Sequence, residues 1–562
     1  MKKTIYVEGH GKVVLTDKNY LAVGGEATVY CVDRTAYKLY HEPSKAIPLT
    51  KIQELNKLTP KNVLKPKNII RDSNDIPIGY TMKYIKTTHP LCKLFTKTFR
   101  NNNNISNDDI VYLVREMQRT IAQIHKEKCL IVDLNEMNIL TSGDFKTPYF
   151  IDVDSYETTS HKATAIMESI RDPLVKNNQW TELSDWYSFA ILAFSLYVGI
   201  HPFKGKHPDY KPNQLNQRMI DGISVFNKNV SLPRVCNSFS VIPEVHKKWF
   251  RSIFIRNDRS IPPFVEEIIS VIQSAEILFD DVGGFDIGVV NECPENILSV
   301  LNMMGVNYMV GRNNVYKEQK TLPNKIDGFK VKLCKSSDMT PIICKFKDEM
   351  VIFEEPNACE IGKIKSKDIM CRNGAIYSVW DGKLIENTFD RIGAKINHKT
   401  RIACNVLENS THIHDGVIFQ DLLGKIFITL PYEKGKCAFM PVKELNSYKI
   451  LNAKSEGNVC SVMASKKGVY YRFVLIFNDN YTSYSSNVVK DVLYTSTNFT
   501  TLQNGLCVMA IDSDHSEVQI FKGGQVKVIS NPPFDTTTPL FNHSGSVFFI
   551  KKNKIYSAKV KK

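Results

Sequence analysis

Residues Ile131 to Tyr156 read IVDLNEMNILTSGDFKTPYFIDVDSY, and the fold turns on this stretch. Asp133 and Asn138 stand behind a short apolar step, and Asp152 and Asp154 close a second apolar run over Pro148 to Ile151. Oxygen-bearing side chains converging after two strand-like segments suit a hard divalent ion. Mg²⁺ favours octahedral oxygen coordination and seldom draws every ligand from side chains, so phosphate would complete such a set. Asn138, Asp152 and Asp154 are the candidate metal ligands.

Working back toward the N-terminus, Gly24 and Gly25 lie between two β-like runs, where a backbone without Cβ can approach a phosphate. Thr35 to Tyr40 alternates, so Ala36 and Lys38 share one face, and a lysine on an inner strand face needs an anion. Ile52, Leu55 and Leu58 recur at helical spacing before Pro60, which places Glu54 on a helix within reach of Lys38. Gly79 to Ile85 reads as a strand running into a hinge. A long amphipathic helix follows through Ile110, Leu113, Met117, Ile121 and Ile124.

Beyond the central stretch, Leu183 to Phe194 is apolar nearly all round and reads as a core helix that begins near Asp185. A last helix is expected from Phe264 to Ile277. From Asp280 the text becomes loop-like, and then β-rich couplets recur about every 40 residues, the length of a four-stranded propeller blade. Trp380-Asp381-Gly382 makes a good hairpin turn, but no Trp-Asp pair recurs at each repeat. A divergent propeller of six or seven blades is expected, with a pair of β-sandwiches as the alternative. His412 and His414 alternate on one strand face and read as surface residues.

A chain of 562 residues is too long for one core. The net charge of +15, from 73 Lys and Arg against 58 Asp and Glu, favours anionic partners in general. The basic residues form no long run and no aromatic-basic motif, so nucleic acid is not the expected partner. Thirteen cysteines without a C-x2-C pair signal neither zinc nor a disulfide framework, and point to a reducing compartment. The opening residues lack the apolar core of a signal peptide, and Phe189 to Ile200 is too short to span a bilayer. The cytoplasm is therefore expected, that of the host for a viral source.

Six motifs in order resemble the eukaryotic-like protein kinases of bacteria and their viruses. They are Gly-Gly-Glu-x-Thr-Val-Tyr at Gly24 to Tyr30, Ala-x-Lys-x-Tyr at Ala36 to Tyr40 and Gly-Tyr-x-Met at Gly79 to Met82. Asp-x-Asn-x-x-Asn follows at Asp133 to Asn138, then Ile-Asp-x-Asp-Ser at Ile151 to Ser155 and Gly-x-His-Pro-Phe at Gly199 to Phe203. The likeness covers about half the chain. It implies a two-lobed α+β kinase-like fold over residues 1–278, with lobes of about 1–86 and 87–278, a linker over 279–297, and an all-β domain over 298–562.

The resemblance also implies ATP and Mg²⁺ as cofactors. Lys38 would contact the α- and β-phosphates, Glu54 would orient it, and Asp133 would accept the proton of a hydroxyl nucleophile. Gly24 and Gly25 would cover the phosphates, and Val23, Val29, Ala36, Leu140 and Ile151 would sandwich the adenine. Met82 would back it, with the backbone near Lys83 and Ile85 at its edge. Asp185 would accept N–H groups of the loop around Asp133. The function implied is Ser/Thr protein phosphorylation, with the β-rich half recognising a protein substrate or partner.

Several positions depart from the family pattern. Ile131-Val132 replaces His-Arg before the catalytic aspartate, so control by loop phosphorylation is not expected. Asn135 replaces a lysine, and Asp154 a glycine. Arg171-Asp172-Pro173 replaces Ala-Pro-Glu, leaving Asp172 or Glu182 to pair with Arg259. These losses leave two alternatives, a pseudokinase scaffold and a phosphotransferase for a small molecule.

Overall fold

The computed structural model describes residues 2–163, 166–265, 285–433, 435–502, 505–512, 516–522, 525–543 and 545–560. Most of the helix expected over 264–277, and the first part of the expected linker, lie outside the described residues.

The chain begins with a seven-stranded antiparallel sheet in the order Gly11–Thr16, Lys2–Val7, Ile69–Arg71, Pro77–Lys83, Thr35–Tyr40, Ala27–Val32, Tyr20–Val23. Its register sets the functional face. Val29 lies opposite Lys38, which lies opposite Tyr80, and Ala36 lies opposite Met82. Residues directly opposed across antiparallel strands share a face, so these five side chains form one patch. The helix Leu49–Leu55 buries Ile52 and Leu55.

Two helices organise the next 180 residues. Asn107–Lys126 opens on a capping box in which Ser106 and Asp109 exchange hydrogen bonds, and buries its apolar stripe. Glu182–Val198 is capped by Thr181 and stopped by Gly199, whose φ of +88° is ordinary for glycine and strained for any side chain. Every side chain from Ser184 to Val198 is buried, as its all-round apolar sequence requires. Phe194 sits edge-on to Phe226, Phe239, Phe250 and Phe254 at the centre of this core.

The second half consists of seven four-stranded antiparallel sheets. Their first strands are Ile297–Met303, Lys330–Lys335, Ile369–Arg372, Thr411–His414, Lys449–Glu456, Asn498–Thr501 and Leu540–His543. Each touches the first strand of the next sheet, and Ser546–Lys551 of the seventh touches Ile297–Met303 of the first, so the succession returns to its start. Phe285–Glu292, expected as linker, is instead a strand that pairs with Lys554–Val560 and completes the seventh sheet. Its alternation is weak because it is an edge strand with much of its surface exposed.

The halves pack together. Cys92 and half-buried Phe95 and Met137 of the first join Leu451, Met463, Tyr470, Val492 and Tyr494 of the second in one apolar cluster. Tyr470 donates a 2.6 Å hydrogen bond to Glu136, and Tyr20 a 3.0 Å one to Asp421. Among the described residues no helix is long and apolar enough to cross a membrane.

Candidate active site

Asp133 follows Val132, a β-branched residue held at φ +62°. That conformation costs on the order of 1–3 kcal/mol and persists only where surroundings impose it. Asp185 imposes it. Its buried carboxylate accepts the N–H groups of Ile131 and Val132, both at 2.8 Å, and pairs with His125 at 2.9 Å. The core helix thus fixes the loop from beneath, as expected for Asp185.

Within the loop, Asn135 accepts the N–H groups of Met137 and Asn138 at 2.8 and 3.1 Å, closing the turn. Asn138 then donates to both the carbonyl and the Oδ2 of Asp133, each at 3.0 Å. Asp133 Oδ1 accepts the Met167 N–H at 2.8 Å. Burial raises the Asp133 pKa above the ordinary aspartate range, against the opposing pull of Met167, Asn135 and Asn138. A carboxylate of raised pKa is a better proton acceptor.

Lys38 reaches across from the sheet. Its Nζ lies 2.6 Å from Asp152 Oδ1 and 2.9 and 2.8 Å from the two oxygens of Asp154. Burial alone would lower its pKa, but Asp154 and Asp152 outweigh that and push it up to about 12. Lys38 is therefore a permanent cation.

Two expectations are corrected here. Glu54 does not meet Lys38; its carboxylate lies 3.4 Å from both the Ser160 N–H and the His161 ring. The buried charged residue on that helix is Lys51, which donates to the Asp154 carbonyl at 2.7 Å. Asp154 is likewise not placed as a metal ligand. Its two oxygens take four hydrogen bonds, from Lys38 twice, from Tyr80 at 2.7 Å and from Tyr40 at 2.5 Å. Burial pushes its pKa up, yet these partners together draw it below the ordinary range. Asp154 does the anchoring expected of Glu54. The pattern Tyr40, Tyr80 and Asp154 was the signal: two inward tyrosines on neighbouring strands need an acceptor.

Asp152 differs. Held in the left-handed region at φ +58°, its side chain remains 45% exposed and contacts Lys38 through Oδ1. Asp152 Oδ2 and Asn138 Oδ1 remain for a hard cation, two protein oxygens with phosphate and water supplying the rest, which fits Mg²⁺. Among the described residues no three His, Cys, Asp or Glu side chains form a metal-ligand group.

The remaining expected residues are distributed around this centre. Gly24 and Gly25 turn between Tyr20–Val23 and Ala27–Val32, and a Cβ on Gly25 would meet no atom of the chain. Val23, Val29, Met82, Leu140, Ile151 and Ile85 are half-buried, Ala36 is buried and Lys83 exposed. Ile151 is tied to the loop of Asp133 and Asn138 by its N–H, which donates to the Asn138 carbonyl at 3.0 Å. Asp172, rather than Glu182, pairs with Arg259 through two hydrogen bonds of 2.7 Å.

No family model and no curated protein matches this chain. Solved structures similar to it include one described as "ROP18 kinase domain in complex with AMP-PNP and sucrose". It is 16% identical, covers 47% of this chain and 80% of its own, and has a TM-score of 0.34, a likeness that carries no conclusion about fold or activity.

Proposed function

We propose that the chain is an ATP- and Mg²⁺-dependent phosphotransferase that phosphorylates Ser or Thr hydroxyls of a protein. The observation that carries this reading is the meeting of Lys38 with Asp152 at 2.6 Å beside a loop in which Asn138 holds Asp133 at 3.0 Å. A charged ammonium, an exposed carboxylate and a half-buried carboxylate of raised pKa are the groups that phosphoryl transfer requires.

Lys38 would turn from its carboxylates toward the α- and β-phosphates. Asp152 Oδ2 and Asn138 Oδ1 would hold Mg²⁺, which when bound neutralises phosphate oxygens. Asp133 Oδ2 accepts one hydrogen bond from Asn138 and keeps a lone pair for the proton of the attacking hydroxyl. Asp185 and Asn135 hold that carboxylate in position, so catalysis is largely positioning and charge stabilisation. The seven sheets are read as a seven-bladed propeller closed by Phe285–Glu292, with loops that select the protein partner.

A scaffold reading without transfer is favoured by one observation, that Asp133 Oδ1 is taken by the Met167 N–H at 2.8 Å. Thermal unfolding with and without Mg-ATP, run with a radiolabelled transfer assay, separates the two. The phosphotransferase requires nucleotide-dependent stabilisation, abolished in Lys38→Met, together with label on an acceptor. Stabilisation without label on any acceptor supports the scaffold.

A further inference from the structure

A polar cavity of about 260 Å³ lies where the turn Leu91–Phe95 of the first half meets the first strands of the third, fourth and fifth sheets. Lys93, Lys367, His412 and His414 line it, with Asp368 and Glu408. His412 and His414, read from the sequence as surface residues, face this cavity because alternate residues of Thr411–His414 share one side.

The charges here do not balance. Lys367 pairs with Glu408 at 2.7 Å, Lys330 with Asp368 at 2.7 Å, and Lys332 with Asp415 at 3.4 Å. Every nearby carboxylate is thereby used. Lys93 has no carboxylate within ion-pair reach among the described residues, and burial together with the nearby Lys449 ammonium lowers its pKa. Burial and Lys93 hold both histidines below their ordinary pKa, so each is neutral and has one N–H to donate. His414 Nε2 is buried and has no hydrogen-bond partner among the described residues. An ammonium without an ion-pair partner beside an unsatisfied imidazole nitrogen calls for an anion.

We propose that this cavity binds a small phosphate-bearing anion, held by Lys93, His412 and His414, at a site separate from the Lys38 centre. Its volume falls below the roughly 300–1,000 Å³ of pockets for drug-sized ligands, which suits a phosphate or pyrophosphate group and not a whole nucleotide. Lys93 belongs to the first half and the two histidines to the second, so the anion would bridge the halves.

Calorimetric titration of the full chain tests this, in a Lys38→Met background that removes the phosphate contact of the first site. Inorganic pyrophosphate and O-phosphoserine serve as probes, to separate a free anion from a phosphate ester. Saturable binding of at least one probe is expected, weakened tenfold or more by Lys93→Ala and by His412→Ala, and largely kept by Lys93→Arg. His412 lines the cavity and is exposed, so its variant is read even where Lys93→Ala fails to fold. No binding of either probe at millimolar concentration, or binding indifferent to His412→Ala, overturns the proposal.

Discussion

The ammonium of Lys38 lies 2.8 Å from Asp154, and the helix carboxylate nearest in sequence expectation, Glu54, is engaged elsewhere. An aspartate just past the second apolar run, clamped by two tyrosines, therefore anchors the strand lysine. Glu54→Gln is expected to leave phosphate transfer within about twofold of wild type, a change under ~0.5 kcal/mol. Asp154→Asn is expected to lower it more than tenfold and to destabilise the chain by about 3 kcal/mol, as loss of one partner from a buried pair does. Steady-state rates and urea unfolding of both variants measure this. Equal losses would return the role to Glu54.

The pH profile follows from Asp133. Its pKa is raised, chiefly by burial, and only the ionised carboxylate can take a proton. Transfer is therefore lost as pH falls through a value above the ordinary aspartate range. A profile of kcat/KM against pH should show its acid limb at that higher pH, and a limb at or below the range of exposed aspartates would contradict the burial argument.

Asp185 holds the strained Val132 by two backbone hydrogen bonds of 2.8 Å. Asp185→Ala leaves two buried N–H groups and His125 without their acceptor, at about 1–3 kcal/mol for each unsatisfied group. The variant should lose at least ~3 kcal/mol in urea unfolding, with a larger fractional loss of kcat than of nucleotide affinity. Unchanged stability would mean that Val132 keeps its conformation unaided.

Arg259 and Asp172 form a two-pronged buried pair, 9% and 3% exposed at the side chain. Arg259→Ala should cost about 3–5 kcal/mol, and Arg259→Lys should recover little because a single ammonium cannot reproduce the planar fork. A double-mutant cycle with Asp172→Ala gives the coupling directly, and additive losses would refute it.

Between the halves, Tyr470→Phe strips buried Glu136 of its 2.6 Å partner. Glu136 is already raised in pKa by burial, so the loss should cost about 1–3 kcal/mol, and Glu136→Gln in the same background should restore part of it. Proteolysis between the halves is the readout, and an unaltered cleavage rate would show that this contact does not hold them.

Much of this arrangement was legible in sequence because it depends on local spacing. Asp133, Asn138 and Asp152 sit on short segments whose order fixes them, and Asp185 opens a helix whose apolar text leaves little choice. Period-two alternation identified the face bearing Ala36 and Lys38. Glu54 and Asp154 were misassigned because the choice between them depends on where a seven-residue helix docks and on which acceptor Tyr40 and Tyr80 find, neither of which is a local property. His412 and His414 showed only that they share a face. What that face meets is set by a turn more than 300 residues upstream, at Lys93. The strand Phe285–Glu292 reads as linker in the sequence because its partner, Lys554–Val560, lies at the far end of the chain.

The central claim is that Asp133 and Asp152 work beside Lys38 on a phosphoryl group. It is tested most directly by γ-phosphate transfer from ATP with Mg²⁺, comparing wild type with Asp133→Asn and Asp152→Asn, each checked for folding by circular dichroism. The acceptors are the chain itself and a generic basic protein. Transfer by wild type, reduced a hundredfold or more in both folded variants, is the result expected here. Transfer that survives in Asp133→Asn and Asp152→Asn, or its absence from a wild-type chain that binds Mg-ATP, would contradict the claim.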